Sequence, residues 1–273
     1  MPPLADAMPD LDGRLLTELT ASVVRASAAI LAVAASALAT RHKADQSPVT
    51  AADEASEAVI LRDLSRLLPG LPVVSEEAEG DGRPAIGRDF LLVDPLDGTR
   101  EFIGGRSEYT VNLAIVRDRT PIVGVIAAPA LGLVWRGVVG RGAERLRVSD
   151  GAAVEPAAIR TRPAPDRLVA TLSRSHLDAA TATLAERLPI AERMICGSAL
   201  KFCRIAEGSA DLYPRLSPTS EWDVAAGHAV VAAAGGSVTT QAGEPLTYGN
   251  VERNLLIPGF LAWGDPAAAR RYR

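Results

Sequence analysis

The chain is predicted to be an α+β protein of two domains with layered helices and sheets, and three observations carry that reading. Helical periodicity opens the sequence, with Leu15, Leu19, Val23 and Ile30 near one face. Three apolar runs, Tyr109 to Val116, Ile122 to Ala128 and Leu133 to Val139, suggest an antiparallel meander. Beyond a Gly-, Arg- and Pro-rich stretch at 140–165, strand-like and helical patterns alternate, as in an α/β layer. The domain boundary is placed in that stretch, giving domains 1–150 and 151–273. A chain of 273 residues is long enough for such a pair and for a sizeable core.

The elements follow in order. After the first helix and the loop 43–50, a second helix is expected from Ala51 to about Leu68, ended by Pro69-Gly70. Leu71 to Val74 reads as a short strand that delivers Ser75-Glu76-Glu77. Phe90 to Val93 reads as a buried strand running into Asp94. In the second half a strand is expected at Leu168 to Leu172, then helices at Asp178 to Leu188 and Ser198 to Glu207. Asp211 to Tyr213 extends toward Pro214-Arg215, and a last helix runs from Trp222 to Ala234, stopped by Gly235-Gly236.

Composition narrows the function classes. The net charge of −4 offers no global basic field for a nucleic acid polymer, so an anionic substrate needs a local basic pocket or cations. Lys43 and Lys201 are the only lysines among the 29 Lys and Arg residues, which makes each worth a question. Cys196 and Cys203 are placed on one helix, too far apart for a disulfide, as small core residues of a reducing compartment. The uncharged stretch Ala26 to Thr40 is short for a membrane span, and acidic residues Asp6, Asp10, Asp12 and Glu18 precede it. A buried helix in a cytoplasmic protein is expected, with peripheral contact at the inner face of the cell membrane left open.

The chemistry concentrates in Asp94-Pro95-Leu96-Asp97-Gly98-Thr99. A turn there, shaped by Pro95 and Gly98, can aim two carboxylates at one point. Crowded carboxylates repel unless a cation sits between them, and hard oxygen ligands favour Mg²⁺. The alternative is an Asx-turn with Asp97 capping the next helix. Two further acidic loci stand out, each with its own alternative. Glu76 follows a strand but has Glu77 and Glu79 beside it, as in a solvated loop. Asp223 sits three residues after Ser220, as in a capping box. Used together, the three loci would form a two-metal site that activates water and stabilises a leaving oxygen, with Asp53 acting through Thr99 to remove a proton from the water.

The trio Ser75-Glu76-Glu77, Asp94 to Thr99 and Trp222-Asp223-Val224-Ala225-Ala226-Gly227 resembles the inositol monophosphatase superfamily, and it does so in the right order across nearly the whole chain. Within it the chain is most similar to the CysQ-type 3′(2′),5′-bisphosphate nucleotidases, through the segments at 47–53, 94–102, 173–176, 197–203, 206–208, 212–215 and 221–230. Inositol phosphatases more typically carry Thr-Asn where Arg100-Glu101 stand, and lack the 173–176 and 212–215 segments.

The resemblance implies an α/β/α/β/α sandwich and a Mg²⁺-dependent, Li⁺-sensitive phosphomonoesterase that removes the 3′-phosphate of adenosine 3′,5′-bisphosphate, with 3′-phosphoadenylyl sulfate as a further substrate. It implies Glu76, Asp94 and the Leu96 carbonyl on a first ion, and Asp94, Asp97 and Asp223 on a second. A weaker third ion falls near Glu76. Asp53 and Thr99, with Glu76, carry catalysis. Leu96, Asp97, Gly98, Thr99, Asp223 and Glu76 face the substrate phosphate, while His176, Gly197, Ser198, Lys201 and Arg215 line the nucleotide side. The departures are Arg100 for Lys, Ile257 where Asn is expected, and about a dozen extra residues before the usual start. His228 is read as a core residue or a support for Asp223. The oligomer is left as monomer or homodimer. The rival readings are a polyol- or sugar-phosphatase of the same superfamily and a non-catalytic protein that binds Mg²⁺ or a phosphorylated ligand.

Overall fold

The computed structural model describes residues 13–34, 40–42, 48–77 and 85–272. Lys43, Glu79, the acidic residues before Gly13 and most of the 43–50 loop lie outside the described residues. Two helices, α1 (Gly13–Ala34) and α2 (Ala51–Leu67), flank a short hairpin of β1 (Thr40–His42) and β2 (Pro48–Thr50). Seven strands then form one sheet in sequence order. They are β3 (Val73–Ser75), β4 (Asp89–Asp97), β5 (Thr110–Arg117), β6 (Thr120–Ala128), β7 (Leu133–Val138), β8 (Gly142–Ser149) and β9 (Ala152–Ile159). A one-turn helix, α3 (Thr99–Ile103), follows β4 directly.

The second sheet has five strands in the order β11-β10-β12-β16-β14. Its parts are β10 (Leu168–Ser173), α4 (Ala179–Arg187), β11 (Ile190–Cys196), α5 (Leu200–Ala206), β12 (Leu212–Arg215), α6 (Glu221–Ala233), β14 (Ser237–Thr239), β16 (Phe260–Trp263) and α7 (Pro266–Arg271). A small pair joins β13 (Thr219–Ser220), directly before α6, to β15 (Leu256–Ile257), well after it.

Three apolar clusters define the layers. Leu19, Val23 and Ile30 of α1, with Ile60 and Leu64 of α2, pack on one face of the large sheet against Leu91, Leu113 and Val125. Phe90, Ile126 and Trp135, from the other face, meet Phe202, Ala226 and Val230 of α5 and α6, which in turn meet Tyr213 and Phe260 of the second sheet. Leu168, Leu212 and Trp263 close the third cluster under α7. The order is α/β/α/β/α, as expected. Helix α1 is long and apolar enough to cross a membrane, but it spends its apolar face on the sheet.

Glycines set the closest approach of α6 to the large sheet. A Cβ on Gly124 would stand 2.2 Å from the Ala226 carbonyl oxygen, and one on Gly137 would stand 2.8 Å from the Ala233 Cβ. The first half therefore seats a helix of the second half directly on its strands.

Three expectations change. The large sheet continues to Ile159, so a division after residue 150 cuts the β8–β9 hairpin. The Gly and Arg content there belongs to tight hairpin turns, such as Asp150-Gly151, and not only to a linker. Cys196 closes β11 while Cys203 lies on α5, so the two thiols do not share a helix; both are free and buried. The strands β8, β9, β11, β14, β15 and β16 have no counterpart in the sequence reading. Several are exposed edge or polar strands, in which apolar alternation is weak.

Candidate metal and phosphate site

Strand β4 carries the first carboxylates. It pairs with β5 at Asp94↔Asn112 and again at Asp97↔Thr110, so Pro95-Leu96 adds one residue to β4. That is a bulge, where a residue without an N–H is tolerated and side chains are re-aimed. The expected turn is thus a bulged strand end. It is held by Ser56 Oγ donating to the Pro95 carbonyl at 2.7 Å and by the Leu96 N–H donating to Asp94 Oδ1 at 3.0 Å. Gly98 then takes φ 94, and a Cβ there would press on Glu108 and Tyr109. Gly98, not Asp97, is the N-cap of α3, so the Asx-cap alternative falls.

Glu76 reaches the same point through the sheet. Parallel pairing of Ser75 with Val93, extended by the Glu76 N–H donating to the Val93 carbonyl at 3.1 Å, sets Glu76 beside Asp94. Asp223 arrives from above on the first turn of α6. Its carboxylate accepts from the Thr219 hydroxyl and from the Ser220 backbone N–H, while the Ser220 side chain makes no cap bond, so only half of the capping box is present and Asp223 also serves the cleft.

Among the described residues, Glu76, Asp94 and Asp223 each offer an oxygen within 4.8 Å of the others. Asp97 stands beside them and is tied loosely to Asn112 Nδ2 at 3.5 Å. The observed trio therefore draws on both of the ligand sets that the resemblance implied. Burial, then Glu76, Asp97 and Asp223, push the Asp94 carboxyl well above the usual carboxylate range. Burial and Asp223 push Asp97 up to about 7, against the pull of Lys201 and Arg215. Asp94 Oδ2 is buried with no hydrogen-bond partner. An orphaned carboxylate oxygen facing two more carboxylates costs free energy unless a cation meets it. The donor set, all hard oxygen, fits a divalent cation of the Mg²⁺ type.

A real capping box occurs at Thr50. Asp53 Oδ2 accepts from the Thr50 N–H at 2.8 Å and from its hydroxyl at 2.7 Å, which fixes the carboxylate at the start of α2. The other oxygen, Oδ1, is left toward Thr99 Oγ1 at 3.2 Å. Burial raises the Asp53 pKa while the Thr50 and Thr99 bonds hold it back.

The cleft runs from these acids to a basic side lined by His176, Gly197, Ser198, Lys201 and Arg215. Lys201 is only 3 % exposed, so it is not a surface lysine. Its Nζ donates to the Ser198 carbonyl at 2.7 Å and the Cys196 carbonyl at 3.4 Å, and lies 5.2 Å from the centre of the Tyr213 ring. Helix α5 starts only at Leu200, and Ser198 precedes it in the left-handed region at φ 45. His228 lies off the cleft, bonded through Nδ1 to the Tyr248 hydroxyl at 2.9 Å, and burial pushes it down to about 4. It is a core residue. Ile257 is buried in the β13–β15 pair, and Phe260 forms the cleft wall. Sequence reasoning missed Thr219, Ser56 and Asn112, single polar residues whose partners lie far along the chain.

Layered sheets with a buried acidic centre where the two halves meet define a metal-dependent phosphatase fold. The chain belongs to the inositol monophosphatase family, which it matches over residues 14–262. Its curated relatives include the 3′(2′),5′-bisphosphate nucleotidase CysQ of Shigella flexneri, 44% identical over 225 residues, covering 80% of this chain and 86% of that protein. The CysQ of Escherichia coli K12 is 44% identical over 219 residues with the same coverage. Among solved structures, CysQ from Bacteroides thetaiotaomicron superposes with TM-score 0.77 at 34% identity, covering 93% of this chain and 98% of that one. An inositol monophosphatase from Anabaena reaches TM-score 0.74 at 26% identity, covering 95% and 94%.

Proposed function

We propose that this chain is a Mg²⁺-dependent phosphomonoesterase that hydrolyses the 3′-phosphate of adenosine 3′,5′-bisphosphate to AMP and phosphate, and that accepts 3′-phosphoadenylyl sulfate as a related substrate. One observation carries the reading: a single cleft is lined both by a carboxylate cluster, beside an orphaned Asp94 oxygen, and by the cations Lys201 and Arg215. A substrate with two phosphates can engage both the acidic centre and these bases. The similarity to CysQ proteins supports the nucleotide choice.

Glu76, Asp94, Asp97, Asp223 and the Leu96 carbonyl would hold two or three ions. Bound there, Mg²⁺ would supply positive charge for the phosphoryl and leaving oxygens and would acidify the attacking water. The chain's own part is proton transfer and positioning. The Thr99 hydroxyl has one proton and two acceptors in reach, Asp53 Oδ1 and the Leu96 carbonyl, each at 3.2 Å. Donating to Asp53 leaves its lone pairs free to accept a proton from water, and the raised pKa of Asp53 makes it the better final acceptor. The capping box keeps Asp53 from turning away. Gly98 and Thr99 place backbone at the scissile phosphate, and His176, Gly197, Ser198, Lys201 and Arg215 receive the nucleotide side. Water is the nucleophile, so no covalent intermediate forms.

The test is phosphate release with Mg²⁺ from adenosine 3′,5′-bisphosphate, inositol 1-phosphate and fructose 1,6-bisphosphate. The bisphosphate nucleotide should give the highest kcat/KM, and millimolar Li⁺ should inhibit. Preference for a polyol phosphate would refute the substrate, and absence of release from all three would refute the enzyme.

A further inference from the structure

The rim of the cleft is assembled from three loops drawn from both halves of the chain. They are α3 with the loop to residue 109, the end of β10 with the loop to residue 177, and the end of β11 with the turn to residue 198. Arg174 joins all three: its Nε meets Glu108 Oε2 at 2.9 Å, its Nη2 meets Glu108 Oε1 at 3.0 Å, and Nη2 also donates to the Ile195 carbonyl at 3.3 Å. The next residue, Ser175, donates to the buried Glu101 carboxylate. Gly197 sits so close that a Cβ would stand 2.7 Å from the Glu108 carbonyl oxygen and 3.2 Å from Glu101 Cγ. That glycine is needed for loop-on-loop packing before any substrate arrives. His176 follows Ser175 directly, with its N–H on Ser173 Oγ at 3.1 Å, and faces the mouth of the cleft. Glu101, from the first half of the chain, and Ser175, from the second, thus hold each other.

We propose that Glu108–Arg174 and Glu101–Ser175 form a clasp that sets substrate specificity, holding His176 on the nucleotide side of the cleft so that a nucleotide bisphosphate is favoured over a polyol monophosphate. These four are positioning residues that act through His176, and the proposal rests on the function proposed above. A short exposed loop loses conformational freedom when a ligand must order it, and a two-pronged Arg–carboxylate contact orders it beforehand. The pair itself is part-exposed, at 36% and 24%, so it adds little to global stability. Its effect falls on where His176 stands.

The experiment is a double-mutant cycle between Arg174→Met and His176→Ala, with a charge swap of Glu108→Arg and Arg174→Glu. Arg174→Met should raise KM for adenosine 3′,5′-bisphosphate about tenfold while kcat changes less than about twofold, the pattern of lost positioning. Its kcat/KM for inositol 1-phosphate should change less than about twofold, with an unaltered melting temperature. His176→Ala should cost about as much in the native clasp but little more in the Arg174→Met background. Ser175→Ala should shift KM in the same direction, and the charge swap should recover most of the loss. Equal losses on both substrates, an unchanged KM, or additive effects of positions 174 and 176 would each overturn the clasp. A native enzyme that prefers inositol 1-phosphate would instead overturn the proposed substrate. The coupling between 174 and 176, measured on the preferred ester, would then judge the clasp separately.

Discussion

On the acidic side of the cleft, Asp94 and Asp53 are each 1% exposed and are carried by backbone: a bulged strand inside the sheet and the first turn of a helix. On the basic side, His176 and Arg174 stand in solvent, and their loops are held by side-chain contacts. The acidic side is rigid and electrostatically unfavourable when empty, with its charges forced together by the sheet. The basic side gathers cations, with partial desolvation first and then Arg215, Arg100 and Lys201 all disfavouring a charged His176, and its loops depend on local bonds that each contribute modestly. Changes at the acidic side should therefore abolish turnover for every substrate. Changes at the basic side should redistribute preference among substrates.

The largest effect is expected for Asp94→Asn. It removes a charge from the centre of the trio, and turnover at saturating Mg²⁺ should fall more than about a hundredfold, near 3 kcal/mol of barrier. A variant with half the native rate would sink the assignment. Next comes Thr99→Ala, which deletes the hydroxyl between water and Asp53 and should cost about a hundredfold in kcat, with KM nearly unchanged. Thr99→Ser should keep most of the activity; if it is as poor as the alanine variant, the methyl group and not the hydroxyl matters.

Lys201→Ala tests the other side. It should weaken kcat/KM for adenosine 3′,5′-bisphosphate by about 2 kcal/mol and affect 3′-AMP far less. Because Lys201 also bonds the Cys196 and Ser198 carbonyls, a small loss of melting temperature should accompany it. Equal losses on both nucleotides would make it a structural residue of the 196–198 turn alone.

The smallest effect is a dependence of stability on pH and metal. Asp94 and Asp97 have raised folded-state pKa values, Asp97 to about 7, so the metal-free fold binds protons more tightly than the unfolded chain. Its stability should be fullest below the ordinary carboxylate pKa and fall as pH rises toward about 7. Mg²⁺ competes with those protons. The melting-temperature increase on adding Mg²⁺ should therefore be larger near about pH 8 than near about pH 5.5. An increment that is the same at both would show that the cation does not sit among these carboxylates.

Sequence alone determined the residues of the acidic centre and the layered α+β class. Asp94, Asp97 and Gly98 lie within five residues of one another, where a strand run ends at a Pro and a Gly, and such local chemistry is readable without a partner. The long helices and buried strands were legible for the same reason, since their periodicity is set by faces that pack. Tertiary structure alone decided the rest. A bulge, not a turn, aims Asp94, because register with Asn112 and Thr110 is a property of two strands. The Ser220 box is only half formed, with Asp223 also bonded to Thr219, while Thr50 and Asp53 make a complete box that leaves Asp53 facing Thr99, forty-six residues along the chain. The Glu108–Arg174 and Glu101–Ser175 contacts join residues 66 and 74 positions apart. No local pattern encodes such pairs; they exist only once α6 has settled on Gly124 and Gly137 and brought the two sheets to a fixed distance.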